Sequence, residues 1–297
     1  MGTPDFAVPS LEVLVKNNFN VVAVVTAPDK PQGRGQKLIA PPVKVCAQKF
    51  NIPVLQPANL KSEAFLNELK VFQANLQVVV AFRMLPEVVW AMPALGTFNL
   101  HASLLPQYRG AAPINWAIIN GESETGVTTF FLRHEIDTGR IIFQEREPIA
   151  DTDTAGALYV RLMQKGALLV LKTVQAIASG DCHSTPQVET PIAKHAPKIF
   201  KETCKINWAQ PSKQIVDFVR GLSPYPAAWT MFKGKTFKIL FASVSEHKWA
   251  AQAGDLKTDN KNYLYVKSSD GWVSINELQP EGKRRMSIQD FFRGNQL

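Results

Sequence analysis

Three side chains in this sequence could act together on one carbonyl: Asn99, His101 and Asp137. An amide can donate to an oxyanion, an imidazole can move a proton, and a carboxylate can hold the imidazole in one tautomer. Asn99 and His101 are two residues apart, and Ser103-Leu104-Leu105-Pro106 follows at once. Asp137 opens the turn Asp137-Thr138-Gly139. No serine or cysteine stands in nucleophile-elbow context and no group has metal-ligand spacing, so no metal is expected. The nucleophile is expected to belong to a substrate. Alternatives stay open for each residue. Asn99 could cap a strand end, His101 could stabilise an oxyanion as imidazolium or relay a proton, and Asp137 could orient His101 or take a proton from the nucleophile. His134, His183, His195 and His247 have no comparable context and read as surface residues.

The elements that would position these groups are legible as alternation of strand and helix. Residues 21–25 and 78–82 are continuous apolar runs rich in β-branched residues, suited to strands covered on both faces. Residues 97–100 make a shorter strand, which puts His101 at a carboxyl end, where open α/β sheets place ligands. Helices are predicted at 9–16, 62–72, 113–120 and 154–178, the last with Asp153 as N-cap. The pattern predicts an α/β fold, a doubly wound domain over residues 1–180. Residues 181–200 contain Pro186, Pro191 and Pro197 and read as an extended linker. In 201–297 a helix at 212–222 and short strands at 229–232, 237–242, 263–267 and 272–278 predict a small barrel or sandwich, with a last helix starting near Ser287.

The chain carries a net charge of +8. Residues 201–297 hold 15 Lys+Arg against 9 Asp+Glu, whereas residues 1–200 hold 18 against 16. A basic last third implies an anionic partner, or else an ordinary solvated surface. Three cysteines, odd in number and far apart, predict reduced thiols. No apolar run reaches membrane-spanning length, there is no signal core, and Phe6 spoils a myristoylation motif. The expectation is a cytoplasmic monomer without membrane attachment.

Gly2-Thr3-Pro4-Asp5-Phe6 looks like the turn that leaves a strand and enters a helix. A helix leading into strand 21–25 should be the crossover of a βαβ unit. Met1 therefore reads as an internal methionine, with a short apolar strand upstream. Three or four buried aliphatics would contribute roughly 5–12 kcal/mol at ~1.5–3 each, so the chain as written is expected to fold poorly.

Asn99-x-His101-x-Ser103-Leu104-Leu105-Pro106, Tyr108-Arg109-Gly110-Ala111-Ala112-Pro113 and Asp137-Thr138-Gly139 together resemble the folate-dependent formyltransferases. Gly2 to Phe6, Pro28-Asp29-Lys30-Pro31, Gly33-Arg34-Gly35, Gln56-Pro57 and the basic C-terminal third narrow the resemblance to the methionyl-tRNA formyltransferases, over essentially the whole chain. The resemblance implies a Rossmann-like catalytic domain, a linker, and a barrel resembling an OB-fold over 201–297. It implies formyl transfer from 10-formyltetrahydrofolate to the α-amino group of methionyl-initiator-tRNA, for translation initiation. Asn99, His101 and Asp137 would be catalytic, and Ser103, Leu104, Leu105 and Pro106 would form a wall that orients the folate and leaves backbone groups free for the pterin. Two departures from the family pattern lie within the catalytic domain, the first bearing on the folate pocket and the second little on the chemistry. Ala81-Phe82-Arg83-Met84-Leu85-Pro86 is one residue short and has Arg83 where glycine is usual, and Arg140 replaces a frequent acidic residue.

Gly33-Arg34-Gly35-Gln36-Lys37 lacks the third glycine of a dinucleotide fingerprint and follows a Pro-rich loop. Arg34 and Lys37 fit a basic finger on the tRNA acceptor end better. Lys233, Lys235 and Lys238 alternate around Phe232 and Phe237, and Lys283-Arg284-Arg285 forms a second cluster; both suit tracking of an RNA backbone. Two other readings remain: a formyltransferase or deformylase for another acceptor, such as glycinamide ribonucleotide, and a noncatalytic RNA-binding protein.

Overall fold

The computed structural model describes residues 1–32, 36–188 and 193–297. They form two compact units that are not contiguous in sequence. One comprises Met1–Arg109, Gly126–Glu147 and Tyr159–Lys194; the other comprises Gly110–Thr125, Pro148–Leu158 and His195–Leu297. In chain order the elements are α1 (Val8–Lys16), β1 (Val24–Val25), β2 (Lys30–Gln32), β3 (Lys37–Ile39), α2 (Pro42–Lys49), β4 (Val54–Leu55), α3 (Glu63–Val71), β5 (Gln77–Val80), α4 (Glu87–Trp90) and β6 (Thr97–His101). There follow β7 (Arg109–Gly110), α5 (Pro113–Ile119), β8 (Glu124–Phe131), β9 (Ile141–Pro148), α6 (Ala155–Ser179) and β10 (His195–Ala196). The C-terminal part holds α7 (Ser212–Leu222), β11 (Ala228–Phe232), β12 (Lys235–Ser245), β13 (Leu256–Thr258), β14 (Leu264–Lys267), β15 (Trp272–Pro280), β16 (Met286–Ser287) and α8 (Ile288–Phe292).

The first unit is built on parallel pairs with helical crossovers, the Rossmann-like pattern. β1 runs parallel to β4 and β5 parallel to β6, while β8 returns antiparallel on β6 and is followed in the sheet by β9. Phe98, Val127 and Phe130 are at most 1 % exposed, as strands covered on both faces require. Gly166 brings α6 onto the sheet: a Cβ there would lie 2.7 Å from Leu100 Cδ2. Of the apolar run 21–25 only Val24 and Val25 belong to a strand. The partner β4 reaches just those two residues, through Val54 and Leu55.

The predicted helices lie close to where the sequence puts them. The cap of α6 differs: Thr154 Oγ1 accepts the Ala157 N–H at 3.2 Å, while the Asp153 carboxylate accepts the Ala150 N–H at 2.8 Å. Asp153 thus closes the turn before the helix, because its side chain reaches back and the next hydroxyl is free to cap.

In the second unit an antiparallel sheet runs in the order β11-β12-β15-β14-β13, with β16 on β15. Register shifts in β12 around Phe241 bend it, so the sheet curls in the manner of a barrel. Ile239, Leu264, Val273, Ile275 and Leu278 fill its core. Ser287 Oγ accepts the Asp290 N–H at 3.1 Å and starts α8. All three cysteines are free thiols. Among the described residues no helix is long and apolar enough to cross a membrane.

Candidate active site

Strand alternation puts Asn99 and His101 on one face of β6 and Leu100 on the other. Asn99 stands in register with Val79 of β5 and Phe130 of β8, and His101 with Thr128. Both polar residues therefore sit near the carboxyl end of a central strand, held by neighbours on each side. Asn99 is half-buried, and among the described residues nothing hydrogen-bonds its side-chain amide. That leaves its N–H available to an oxygen in front of the strand.

His101 is 7 % exposed. Its Nε2 lies 2.9 Å from the Tyr108 carbonyl oxygen, an acceptor only, so the ring donates there and Nε2 carries a proton. The other nitrogen, Nδ1, faces Asp137 Oδ2 at 3.8 Å, with the Asp137 side chain 13 % exposed. That distance is an ion-pair contact and is longer than a hydrogen bond. Both nitrogens thus face acceptors, and a ring with a proton on each would have a partner on both sides. Sequence reasoning missed Tyr108, because its contribution is a backbone carbonyl. Its φ of 59° aims that carbonyl by a backbone turn that its side chain does not announce.

Asp137 stands in the loop between β8 and β9, with φ of 54°. Gly139 is required there, since a Cβ would lie 1.6 Å from the Phe131 carbonyl oxygen. Gln187 holds this loop: its Nε2 donates to the Asp137 carbonyl at 2.8 Å and to the Gly139 carbonyl at 2.9 Å. Arg109 donates to Gln187 Oε1 through Nη2 at 2.6 Å and Nε at 3.1 Å. The arginine of the Tyr-Arg-Gly motif is thereby tied to the Asp-Thr-Gly turn.

Ser103 and Leu105 are buried, Leu104 and Pro106 half-buried. Their backbone is less available than expected. Thr128 Oγ1 donates to Ser103 O at 2.6 Å, Leu105 N donates to Thr128 Oγ1 at 3.2 Å, and Gln144 Nε2 donates to Leu105 O at 2.9 Å. Ser103 Oγ donates to Gln107 O at 2.6 Å. The segment is a wall locked from behind, because a buried turn must satisfy its own polar groups. Arg83, the residue in the glycine position, donates through Nη1 to Ala58 O at 2.9 Å and through Nη2 to Pro57 O.

Of the basic candidates, Lys37 is exposed on β3, opposite Gln32 of β2, and Arg34 lies outside the described residues. The base of this two-stranded ribbon is pinned by Lys44 Nζ, which donates to Asp29 Oδ2 at 2.8 Å and to Gln56 Oε1 at 2.8 Å. The Gln56 hydrogen bond and the Lys44 ammonium hold the Asp29 carboxyl below its usual range. Lys233 forms the β11–β12 turn with Gly234; Lys235 and Lys238 are exposed on β12. Lys283 and Arg284 are exposed, but Arg285 donates through Nε to Glu277 Oε2 at 2.6 Å and through Nη2 to the same oxygen.

Residues 1–174 match the formyl transferase family and residues 198–296 match the formyl transferase C-terminal domain. This chain belongs to the formyl transferase family. A methionyl-tRNA formyltransferase of Bacteroides fragilis is 53 % identical over 100 % of this chain and 94 % of its own length. One of Parabacteroides distasonis is 55 % identical, over 99 % and 94 %. Among solved structures, an N-formyltransferase of Helicobacter canadensis in complex with folinic acid and dTDP-3-aminofucose superposes with a TM-score of 0.68 at 23 % identity, covering 92 % of this chain and 96 % of that one. HypX of Aquifex aeolicus in complex with tetrahydrofolic acid gives 0.62 at 20 %, covering 84 % and 44 %. These two likenesses concern the fold. The family is one of formyl-group transferases, and the chain is one of them.

Proposed function

We propose that this formyl transferase moves the formyl group of 10-formyltetrahydrofolate to the α-amino group of methionyl-initiator-tRNA. The observation that carries the chemistry is the available Asn99 amide beside a buried His101 whose Nδ1 lies 3.8 Å from Asp137. The likeness to two methionyl-tRNA formyltransferases at 53 % and 55 % identity supports the acceptor. In this reading residues 1–180 carry the chemistry, 181–200 link, and 201–297 hold the RNA.

A formyl donor fits the residues present. Asn99 offers an unshared N–H to a carbonyl oxygen, and the locked Ser103–Pro106 wall offers a fixed apolar surface. The donor supplies a formyl carbon bonded to nitrogen. Asn99 donates to the formyl oxygen as it gains negative charge, and the protonated imidazole of His101 adds its field at the same place. An α-amine titrates at about 7.7–8.0, and an adjacent ester lowers that further. The acceptor therefore needs little help to lose its first proton. As the new C–N bond forms, the attacking nitrogen gives its proton to Asp137; as the bond from the formyl carbon to the donor nitrogen breaks, His101 gives a proton to that leaving nitrogen, and passage of the proton from Asp137 to His101 across their 3.8 Å contact restores both groups. No side chain becomes acylated.

The test offers the full chain labelled 10-formyltetrahydrofolate with charged initiator tRNA, with glycinamide ribonucleotide, and with an amino sugar nucleotide. Label should pass to the tRNA. Transfer to either small acceptor alone would remove the tRNA reading.

A further inference from the structure

The second unit holds a cleft of about 440 Å³, a size at which small-ligand pockets are common. Its floor is apolar: Ile119 at the end of α5, Ile206 ahead of α7, and Ile215 and Phe218 on α7. Gly221 lets the two helices close on this floor, since a Cβ there would lie 2.6 Å from Ile119 Cγ1, and Asn115 Nδ2 ties them by donating to Gly221 O at 2.8 Å. The rim is polar. Asn207, Gln210 and Gln214 bring three side-chain amides to it, all on exposed residues. Among the described residues nothing hydrogen-bonds the amides of Gln210 and Gln214. Asn207 engages its Oδ1, which accepts the Ala209 N–H at 3.0 Å and fixes the side chain, and its Nδ2 keeps both N–H groups for a ligand. Lys205 adds a positive charge at the rim; its Nζ lies 5.7 Å from the centroid of the Trp229 ring, and no carboxylate pairs with it among the described residues. The acid in the lining, Asp217, accepts from Lys213 Nζ at 2.7 Å and from Arg220 Nε at 2.8 Å, so its charge is already matched.

We propose that this cleft takes one nucleotide of the RNA, its base among the three amides and its phosphate at Lys205, resting on the RNA substrate proposed above. A base has an apolar body with donors and acceptors along its edge. The cleft is the complement: apolar side chains form the floor, and each amide presents an N–H pair and a carbonyl oxygen at the rim. Adenine suits such a rim best, because one Asn or Gln amide can donate to its N7 and accept from its N6 amino group. An apolar ligand would strip water from the amides without replacing it. A bare anion would meet Lys205 and leave the amides and the floor unused. A nucleotide engages all three. The contact also differs in kind from the one assigned to the lysines of β12. Those meet phosphates, and phosphate contacts appear in the salt dependence of binding. The amides are neutral and meet a base edge, so they act on affinity without changing that dependence.

The experiment uses the full chain with AMP, with ribose 5-phosphate and with initiator tRNA. Ligand-observed NMR should show AMP bound at least about fivefold more tightly than ribose 5-phosphate, the effect of one or two base-edge hydrogen bonds. Saturating tRNA should displace the AMP. Gln210 and Gln214 are exposed, so changing both to Ala should leave the melting temperature unchanged. The double variant should bind AMP no better than ribose 5-phosphate, which places the AMP in this cleft and not at the catalytic residues. It should weaken tRNA binding by about tenfold with the slope of log affinity against log salt unchanged, whereas Lys205→Ala should reduce that slope by about 1. Asn207→Ala gives a second reading in the same direction, independent of α7. Formyl transfer to tRNA is assayed separately and reads the proposed reaction, while AMP binding and its loss read the cleft whether or not transfer occurs. AMP held equally by wild type and double variant, AMP that saturating tRNA leaves in place, or unchanged tRNA affinity in the double variant would each overturn the proposal.

Discussion

The Gln187 side chain joins Asp137 to Arg109: its amide nitrogen donates to the Asp137 carbonyl at 2.8 Å, and its oxygen accepts from Arg109 Nη2 at 2.6 Å. Asp137 sits in a left-handed backbone conformation, so the aim of its carboxylate depends on what holds the loop. Gln187→Leu should lower kcat by about tenfold, because a misplaced catalytic group loses orientation, with KM for tRNA little changed. Gln187→Glu keeps the acceptor for Arg109 and loses both donors, and should fall between. Steady-state kinetics decide it, and a KM effect with unchanged kcat would contradict the positioning role.

Stability should respond to the Met1 amino group with a definite sign. Its folded value, about 5, lies below its ordinary value of 8.0 because burial disfavours the charge. Between these values the unfolded chain binds more protons, so stability is full above about pH 8 and falls as pH drops toward 5. A chain whose first nitrogen is an amide lacks this dependence. Melting curves of the free-amine and N-acetylated proteins should diverge as pH falls from 8 to 5.5. Parallel curves would show that the amine is not buried.

The exposed lysines and the paired arginine on the C-terminal sheet should behave differently. Lys235→Ala and Lys238→Ala should each weaken tRNA binding and reduce the slope of log affinity against log salt by about 1. Arg285→Ala should do less, because Glu277 already accepts from its guanidinium. Titrations at several salt concentrations test this, and equal slopes for all three variants would dissolve the distinction.

Gly139→Ala should cost activity and stability together. The added methyl meets the Phe131 carbonyl at 1.6 Å, so the loop carrying Asp137 must move. A fall in kcat of at least about tenfold is expected from such misplacement. Unchanged kcat would mean that the loop position is irrelevant to the reaction.

The sequence showed β6 and its two polar residues because strand alternation and a carboxyl-end histidine are local facts. It showed Asp137 as a turn motif. It could not show Gln187, which lies fifty residues away in a Pro-containing stretch without periodicity, or Tyr108, whose contribution is a carbonyl direction. β8 and β9 are hidden for different reasons: residues 124–131 mix buried threonines with apolar residues, and residues 141–148 carry Glu145, Arg146 and Glu147 in succession before Pro148. The composition of residues 21–25 predicts one continuous strand. Only Val24 and Val25 are strand here, because pairing and not propensity decides where a ladder runs.

The claim that Asn99, His101 and Asp137 serve one carbonyl is tested most directly by single-turnover formyl transfer on bound, charged tRNA. Asn99→Ala should slow the step by about 10²–10³-fold, and His101→Ala by about 10²–10⁴-fold. The dissociation constant for tRNA should stay within about twofold in both, since neither side chain is assigned to the RNA. Unchanged turnover in His101→Ala, or losses that follow tRNA affinity alone, would contradict the account.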